Sequence, residues 1–390
     1  MNREESEEAI HETIDELRRK TSFWRDGKVP IDGVTTYSYA NAKRFERLAC
    51  AAALLGAVTQ SREYFSRATQ LYHNRVVAGR LQRDITERIA WEGEPRILSR
   101  TLNAALLSWD RELTTTVARD ALELDDVYLD EFADDYPNSP LGYYQVKAKA
   151  ALVLNDERAV DLVSDLSDAV QKTDDPSQYW LIVPEFYRAV DAGAQEAAQS
   201  ALERLLAFYA ERDPDSEDPR TFVLQTLSAL VILARQRRLD VTVDSDRVPS
   251  AVVQEAVPAD ERRLEVDLSD VEFTSPVGFF ELEYDEESTP VIIGRIYHSG
   301  QGDVTADDVP EREAGRVLSD EWVEAALDEA RWRDHYVDDL VEDAVTAYRD
   351  GSLLRKLVVV QDRTDGGTFD ETLSTLPVDT IQLLKGAGQK

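Results

Sequence analysis

From Glu4 to about Arg238 the apolar residues return every three or four positions, and over so long a stretch only a set of packed amphipathic helices accommodates that spacing. Leu48, Ala52, Leu55 and Val58 mark one such face, and Phe65, Ala68, Tyr72 and Val76 the next. Three later helices are predicted to start on one device, a capping side chain followed by proline, at Ser139-Pro140, Asp175-Pro176 and Asp218-Pro219. The side-chain oxygen takes up a free amide, and proline removes another. Asn155 reads as opening a helix over 157–172, and Gly193 as separating 184–191 from 194–212. The starts recur at about the length of a helix-turn-helix unit, near the ~34–47 residues of helical repeats. The spacing therefore predicts an all-α array of antiparallel helical hairpins, a degenerate TPR-like repeat without the tetratricopeptide signature.

The apolar helix beginning at Asp218 gives way near Arg238 to Leu239–Pro249, where Val241 and Val243 alternate with Thr and Asp in an extended, strand-like tail. Pro258-Ala-Asp-Glu-Arg262 reads as a linker, so the helical domain is predicted over 1–255 and a second domain over 263–390. In that second domain Leu264, Val266 and Leu268, then Phe280, Leu282 and Tyr284, show the period of two of half-buried strands, which 291–293 extends. Helices follow over 319–332 and 335–349. Leu357-Val-Val-Val360 suits a strand buried on both faces, and a turn at Asp365-Gly-Gly367 and a short helix around Val378–Leu384 complete a small α+β domain.

Charge bounds the setting. With 77 acidic against 44 basic residues, the net charge of −33 makes the folded chain repel itself in dilute buffer. Concentrated salt removes most of that repulsion, because the Debye length falls to about 3 Å at 1 M. No lysine stands between Lys43 and Lys147, nor between Lys172 and Lys356, whereas arginines are spread throughout. This is the composition of a halophile's cytoplasmic protein, haloarchaeal in character. Acidity of that origin says little about function. Nucleic-acid binding is not expected, since phosphate contacts need Lys/Arg clusters and weaken steeply with salt. Cys50 is the only cysteine, which excludes an internal disulfide or a thiolate zinc cluster. The first residues lack the form of a signal peptide, and the longest apolar run, Leu48–Val58, is shorter than the ~20 residues a membrane span needs.

No catalytic, cofactor or metal residue is assigned. Nucleophile-elbow, phosphate-loop and zinc-helix motifs are absent, and His11, His73, His298 and His335 are scattered. Asp334-His335 with Asp338 and Asp339 places carboxylates near an imidazole, but in so acidic a chain this reads as a solvated helix face. The runs Asp213–Asp218 and Asp244-Ser-Asp246 lack the glycine and distal glutamate of a calcium loop. Trp91, Trp109, Tyr179, Trp180, Phe186 and Tyr187 belong to the core or to an interface, where Trp, Tyr and Arg dominate binding energy. Trp91, Trp180, Tyr187, Asp244 and Asp246 form the candidate partner-binding set.

The order of these features resembles the immunity-49 family of polymorphic-toxin immunity proteins over about residues 90–255. Trp91-Glu-Gly93 precedes a helix over 97–109, and two hairpins lead to Tyr179-Trp180 and Pro184-Glu-Phe-Tyr-Arg188. After the Leu- and Ala-rich helix 222–235, Val241-Thr-Val-Asp-Ser-Asp-Arg-Val-Pro249 follows the family's tail. The chain departs at Arg237-Arg238, where a glycine turn is expected, and at Arg247, where an aromatic is expected. The resemblance implies an all-helical, non-enzymatic inhibitor of a cognate toxin. Two other readings stay open: a helical-repeat scaffold for another complex, and an enzyme whose site lies in the C-terminal domain around His298 or His335.

Overall fold

The computed structural model describes residues 2–25, 31–86, 94–133, 136, 138–211, 218–268, 271, 277–285, 287–299, 320–330, 338–362 and 381–385. The chain divides into two compact units, Met1–Leu17 with Asn41–Val271, and Arg18–Ala40 with Glu272–Lys390. The division falls within α1 (Arg3–Arg25) and α2 (Ile31–Leu54). No helix among the described residues is long and apolar enough to cross a membrane.

The first unit is helical. After α3 (Val58–Thr86) come α4 (Glu94–Ser108) and α5 (Arg111–Leu122), the short α6 (Val127–Phe132), α7 (Ser139–Leu154) and α8 (Ala159–Lys172), α9 (Gln178–Asp191) and α10 (Gln195–Ala210), the single turn α11 (Pro219–Phe222), and α12 (Gln225–Gln236). Connections of two to four residues join α4 to α5, α7 to α8 and α9 to α10, and each pair packs together, as short connections between helices require. The last helix does not simply close the array. Every residue from Leu227 to Ala234 is buried, and α12 packs on α4, α7 and α10, so it runs through the core where a helix must be apolar on all sides.

Four helix ends share one device. Gly56, Asn155, Gly193 and Arg238 all take left-handed backbone, and the amide after each reaches back five residues, as in Ala57 N–Ala52 O at 2.9 Å and Leu239 N–Ala234 O at 3.0 Å. Asn155 thus closes α7 and does not open α8. Arg238 stands where the resemblance over residues 90–255 implies a glycine turn, and it adopts the same turn at φ 66°. A side chain there strains the backbone, so Arg238→Gly is expected to raise stability by about 1 kcal/mol in chemical denaturation. An unchanged or lower midpoint would show that the turn carries no strain.

Two of the three proline starts shift. Asn138 is the cap of α7, with Ser139 already helical, and Asp175 lies at φ 48° in the turn before Ser177, the cap of α9. Asp218 does cap, accepting from Arg220 N at 3.0 Å, but its helix ends after four residues. The chain breaks at Val223-Leu224 because the Leu224 amide donates to the carbonyl of Arg247, 2.8 Å away in the tail.

The tail is extended without joining a sheet. Gln199 on α10 accepts from Thr242 N and donates to Thr242 O, both at 3.0 Å, so one side-chain amide stands in for a neighbouring strand. Leu264–Leu268, predicted as a strand of the second domain, is likewise extended but belongs to the first unit. Gln60 bonds both the amide and the carbonyl of Leu264, while Glu261 accepts from Thr59 N and Arg262 pairs with Glu7 at 2.7 Å. These ties move the boundary from about 255 to 271.

In the second unit, β1 (Val277–Tyr284), β2 (Pro290–Ser299), β3 (Leu354–Asp362) and β4 (Ile381–Lys385) form a sheet of order β1-β2-β3-β4. The β1–β2 pair is antiparallel and the other two pairs are parallel. A parallel return needs a crossover, and α13 (Asp320–Ala330) and α14 (Asp338–Asp350) lie between β2 and β3 in sequence, with α14 packed on β1 and β2. Leu357–Val360 lies in an inner strand, as its pattern predicts. The short helix expected around 378–384 is instead β4. Isolated helices so short are marginal, whereas Ile381–Lys385 gains a full ladder along β3. The expected turn at 365–367 lies outside the described residues.

Candidate functional site

A pocket of about 980 Å³ opens in the first unit. Its wall is built from α4 (Arg96, Ser99, Arg100, Asn103) and α7 (Gly142, Gln145), with Trp180 from α9, Tyr209 from α10, and Arg220, Thr226 and Arg247 from the segment around the break before α12. Helical spacing explains the α4 contribution. Residues 96, 99, 100 and 103 fall on one stripe, while Leu98, Leu102, Ala105 and Leu106 face the core.

The wall is electropositive, although the chain is strongly acidic. Its residues include four arginines and one carboxylate, Glu46, which is buried and already engaged. Arg100 Nη2 lies 2.9 Å from Glu46 Oε2, and the Tyr72 hydroxyl donates to the same oxygen at 2.9 Å. Arg220 is held by Asp218, its Nε 2.9 Å from Oδ2. Arg247 donates to the carbonyls of Tyr209 (3.0 Å), Thr221 (3.1 Å) and Phe222 (3.0 Å), at the ends of α10 and α11. It thereby supplies partners that those helix ends lack. Arg96 is exposed and makes no ion pair among the described residues.

Behind this wall lies Lys149, 0% exposed. Its ammonium donates to Asn103 Oδ1 at 2.8 Å and Ser99 Oγ at 3.3 Å, both neutral and both part of the pocket wall. Burial brings its pKa down to about 7 from the usual 10.5. Asn103 is in turn tied to Thr226 at 3.3 Å, and Gln145 donates to the Tyr179 hydroxyl. The pocket is thus backed by two hydrogen-bonded sets of polar side chains, Lys149–Ser99–Asn103–Thr226 and Gln145–Tyr179.

The predicted partner-binding residues do not gather in one place. Trp180 is half-buried in the pocket wall, edge-on to Tyr179 with centroids 5.1 Å apart. Tyr187 is fully buried beside Phe186 and is a core residue, out of reach of any partner. Its helix turns that face inward because 182, 183, 186, 187 and 190 share one apolar stripe. Asp244 and Asp246 are exposed and line a separate concavity with Asn2, Arg3 and Arg262. Trp91 lies outside the described residues, as do His335 and the run 213–217. Trp109 is a packing residue, its indole donating to Val252 O at 2.7 Å with Arg62 over its ring. His73 is buried against Asp120, and His11 is exposed. Among the described residues no group of His, Cys, Asp and Glu is arranged to hold a metal ion.

Sequence reading missed the arginines and Lys149. A signal for Lys149 was present: a lone lysine pair, Lys147 and Lys149, interrupts a long lysine-free stretch inside the apolar run Val146–Leu154. Comparison with known protein families, curated proteins and solved structures finds no match for this chain.

Proposed function

We propose that the helical unit is a protein-binding module, a degenerate TPR-like array that acts in a halophile's cytoplasm as the immunity protein of a cognate toxin. The observation that carries this reading is the Arg- and aromatic-lined pocket. Arginine, tryptophan and tyrosine are the residue types that dominate binding energy at interfaces, and here Arg96, Trp180 and Tyr209 surround one concavity. The wall is pre-organised by its own hydrogen bonds, which lowers the entropy lost on association. The resemblance over residues 90–255 supplies the class of partner. In concentrated salt long-range steering is screened, so affinity depends on short-range contacts of this kind.

Co-expression with the toxin encoded beside its gene tests the reading. Survival of the host and co-elution of the two proteins in high-salt size exclusion are expected. Killing at full levels of this chain, with no complex eluting, would sink it.

A further inference from the structure

We propose that the pocket is an oxyanion site, which takes a carboxylate or phosphate group of its ligand under the combined charge of Arg96, Arg100, Arg220, Arg247 and the buried ammonium of Lys149. The inference rests on the pocket being the binding face, and not on the partner being a toxin.

Three observations converge. The first is the inversion of charge. The chain carries 77 acidic residues to 44 basic ones, yet the pocket wall holds four arginines and a single carboxylate. Counting Asp218 beside Arg220, four arginines face two carboxylates, and Lys149 behind the wall adds a fifth positive charge when it is protonated. Glu46 and Asp218 are each held by an arginine, so neither offsets the others.

The second is the setting of Lys149. A fully buried lysine normally has a carboxylate partner, since an unpaired charge in the interior is expensive. Here the ammonium has an amide oxygen and a hydroxyl, and no carboxylate among the described residues lies within hydrogen-bond range. Both partners line the pocket, which leaves an anion bound there one side chain away from the ammonium. That arrangement supplies the missing counter-charge only when the pocket is filled.

The third is the remaining chemistry of the wall. Arg96 is exposed and outside any ion pair among the described residues, and the guanidinium of Arg220 has donors beyond the Nε and Nη2 that hold Asp218. Trp180 and Tyr209 offer an apolar surface for the body that carries the anion.

Titration calorimetry on the full chain tests this, with hexaglutamate peptide and inorganic phosphate as probes and hexaglutamine as the uncharged control. The runs are made near pH 8 in two buffers of different ionisation enthalpy, so that proton uptake is read directly. Hexaglutamate or phosphate is expected to bind at one site with net proton uptake, as Lys149 regains its proton beside the anion. Lys149→Met should abolish the uptake and weaken binding about tenfold or more, and Arg96→Ala should weaken it about tenfold. Binding of the peptide alone identifies an acidic protein segment as the source of the anion; binding of phosphate identifies a small or phosphorylated ligand. The proposal is overturned if neither probe binds, if hexaglutamine binds as well as hexaglutamate, or if uptake persists in Lys149→Met. Should that variant fail to fold, Arg96→Ala decides, because its side chain is exposed: unchanged affinity overturns the proposal. If neither probe binds and the chain still neutralises a toxin, the pocket inference fails while the immunity reading stands. If the anion binds and no toxin is neutralised, the reverse holds.

Discussion

Lys149→Met is expected to stabilise the fold by several kcal/mol at neutral pH, with the advantage shrinking as the pH rises. Burial holds the lysine near 7 in the folded chain against 10.5 when unfolded, so between those values the unfolded state binds a proton that the folded state has released. Stability therefore increases with pH across that window: the penalty is complete below about pH 7 and gone above 10.5. At about 1.4 kcal/mol per pH unit the full penalty is about 5 kcal/mol. Methionine has nearly the same length and no charge to bury, and the partners it abandons, Asn103 and Ser99, line the pocket and can take water. The measurement is the denaturation free energy of both proteins at constant potassium chloride from about pH 7 to 9.5, below the range where buried tyrosines ionise. The gap between them should close by about 3 kcal/mol over that interval. A gap that does not move with pH would mean that Lys149 keeps its proton in the fold. A stabilising substitution at a buried lysine also sharpens the functional argument: a charge that weakens the fold is most simply explained by something it does when the pocket is filled.

Much of the fold was legible, and what was not has definite physical causes. The three-and-four periodicity located helices of the first unit such as α9, which buries one stripe, and the period of two around Phe280–Tyr284 located β1. Ends were harder. Asn155 and Arg238 take left-handed turns that close helices, and a polar residue in a loop does not announce whether it ends one helix or begins the next. The alternation at Leu264, Val266 and Leu268 was real, since these side chains are half-buried while their neighbours are exposed. Alternation reports one covered face, however, and not a ladder; Gln60 takes the place of the neighbouring strand. The four residues Ile381–Leu384 fit either period, and pairing along β3 decided between them. The pocket was least visible. Arg96, Arg220 and Arg247 come from separate elements and meet only through the packing of α4 against α12 and the return of the tail to the break at Val223-Leu224. Aromatic content drew attention to Tyr187, but burial, which periodicity should have indicated, removes it from any surface.

Arg247→Ala is expected to cost about 2–4 kcal/mol and to loosen the tail from the helices it crosses. This is the position at which the resemblance expects an aromatic side chain, and here the guanidinium does another task. Three carbonyls, those of Tyr209, Thr221 and Phe222, accept from it in a half-buried setting, and the backbone carbonyl of Arg247 accepts the Leu224 amide at the start of α12. Hydrogen bonds from a charged donor contribute about 1.5–3 kcal/mol each, less where water can replace them, and water reaches Thr221, which is exposed. Arg247→Lys should recover only part of the loss, because an ammonium lacks the planar spread that lets one guanidinium reach three carbonyls at once. Because Arg247 also lines the pocket, both variants should bind the anionic probes more weakly than the wild type, the alanine variant more so. Denaturation midpoints and probe affinities for the three proteins provide the check. If alanine costs under about 0.5 kcal/mol, Arg247 is not what holds the break, and α12 must be positioned by its buried face from Leu227 to Ala234 alone.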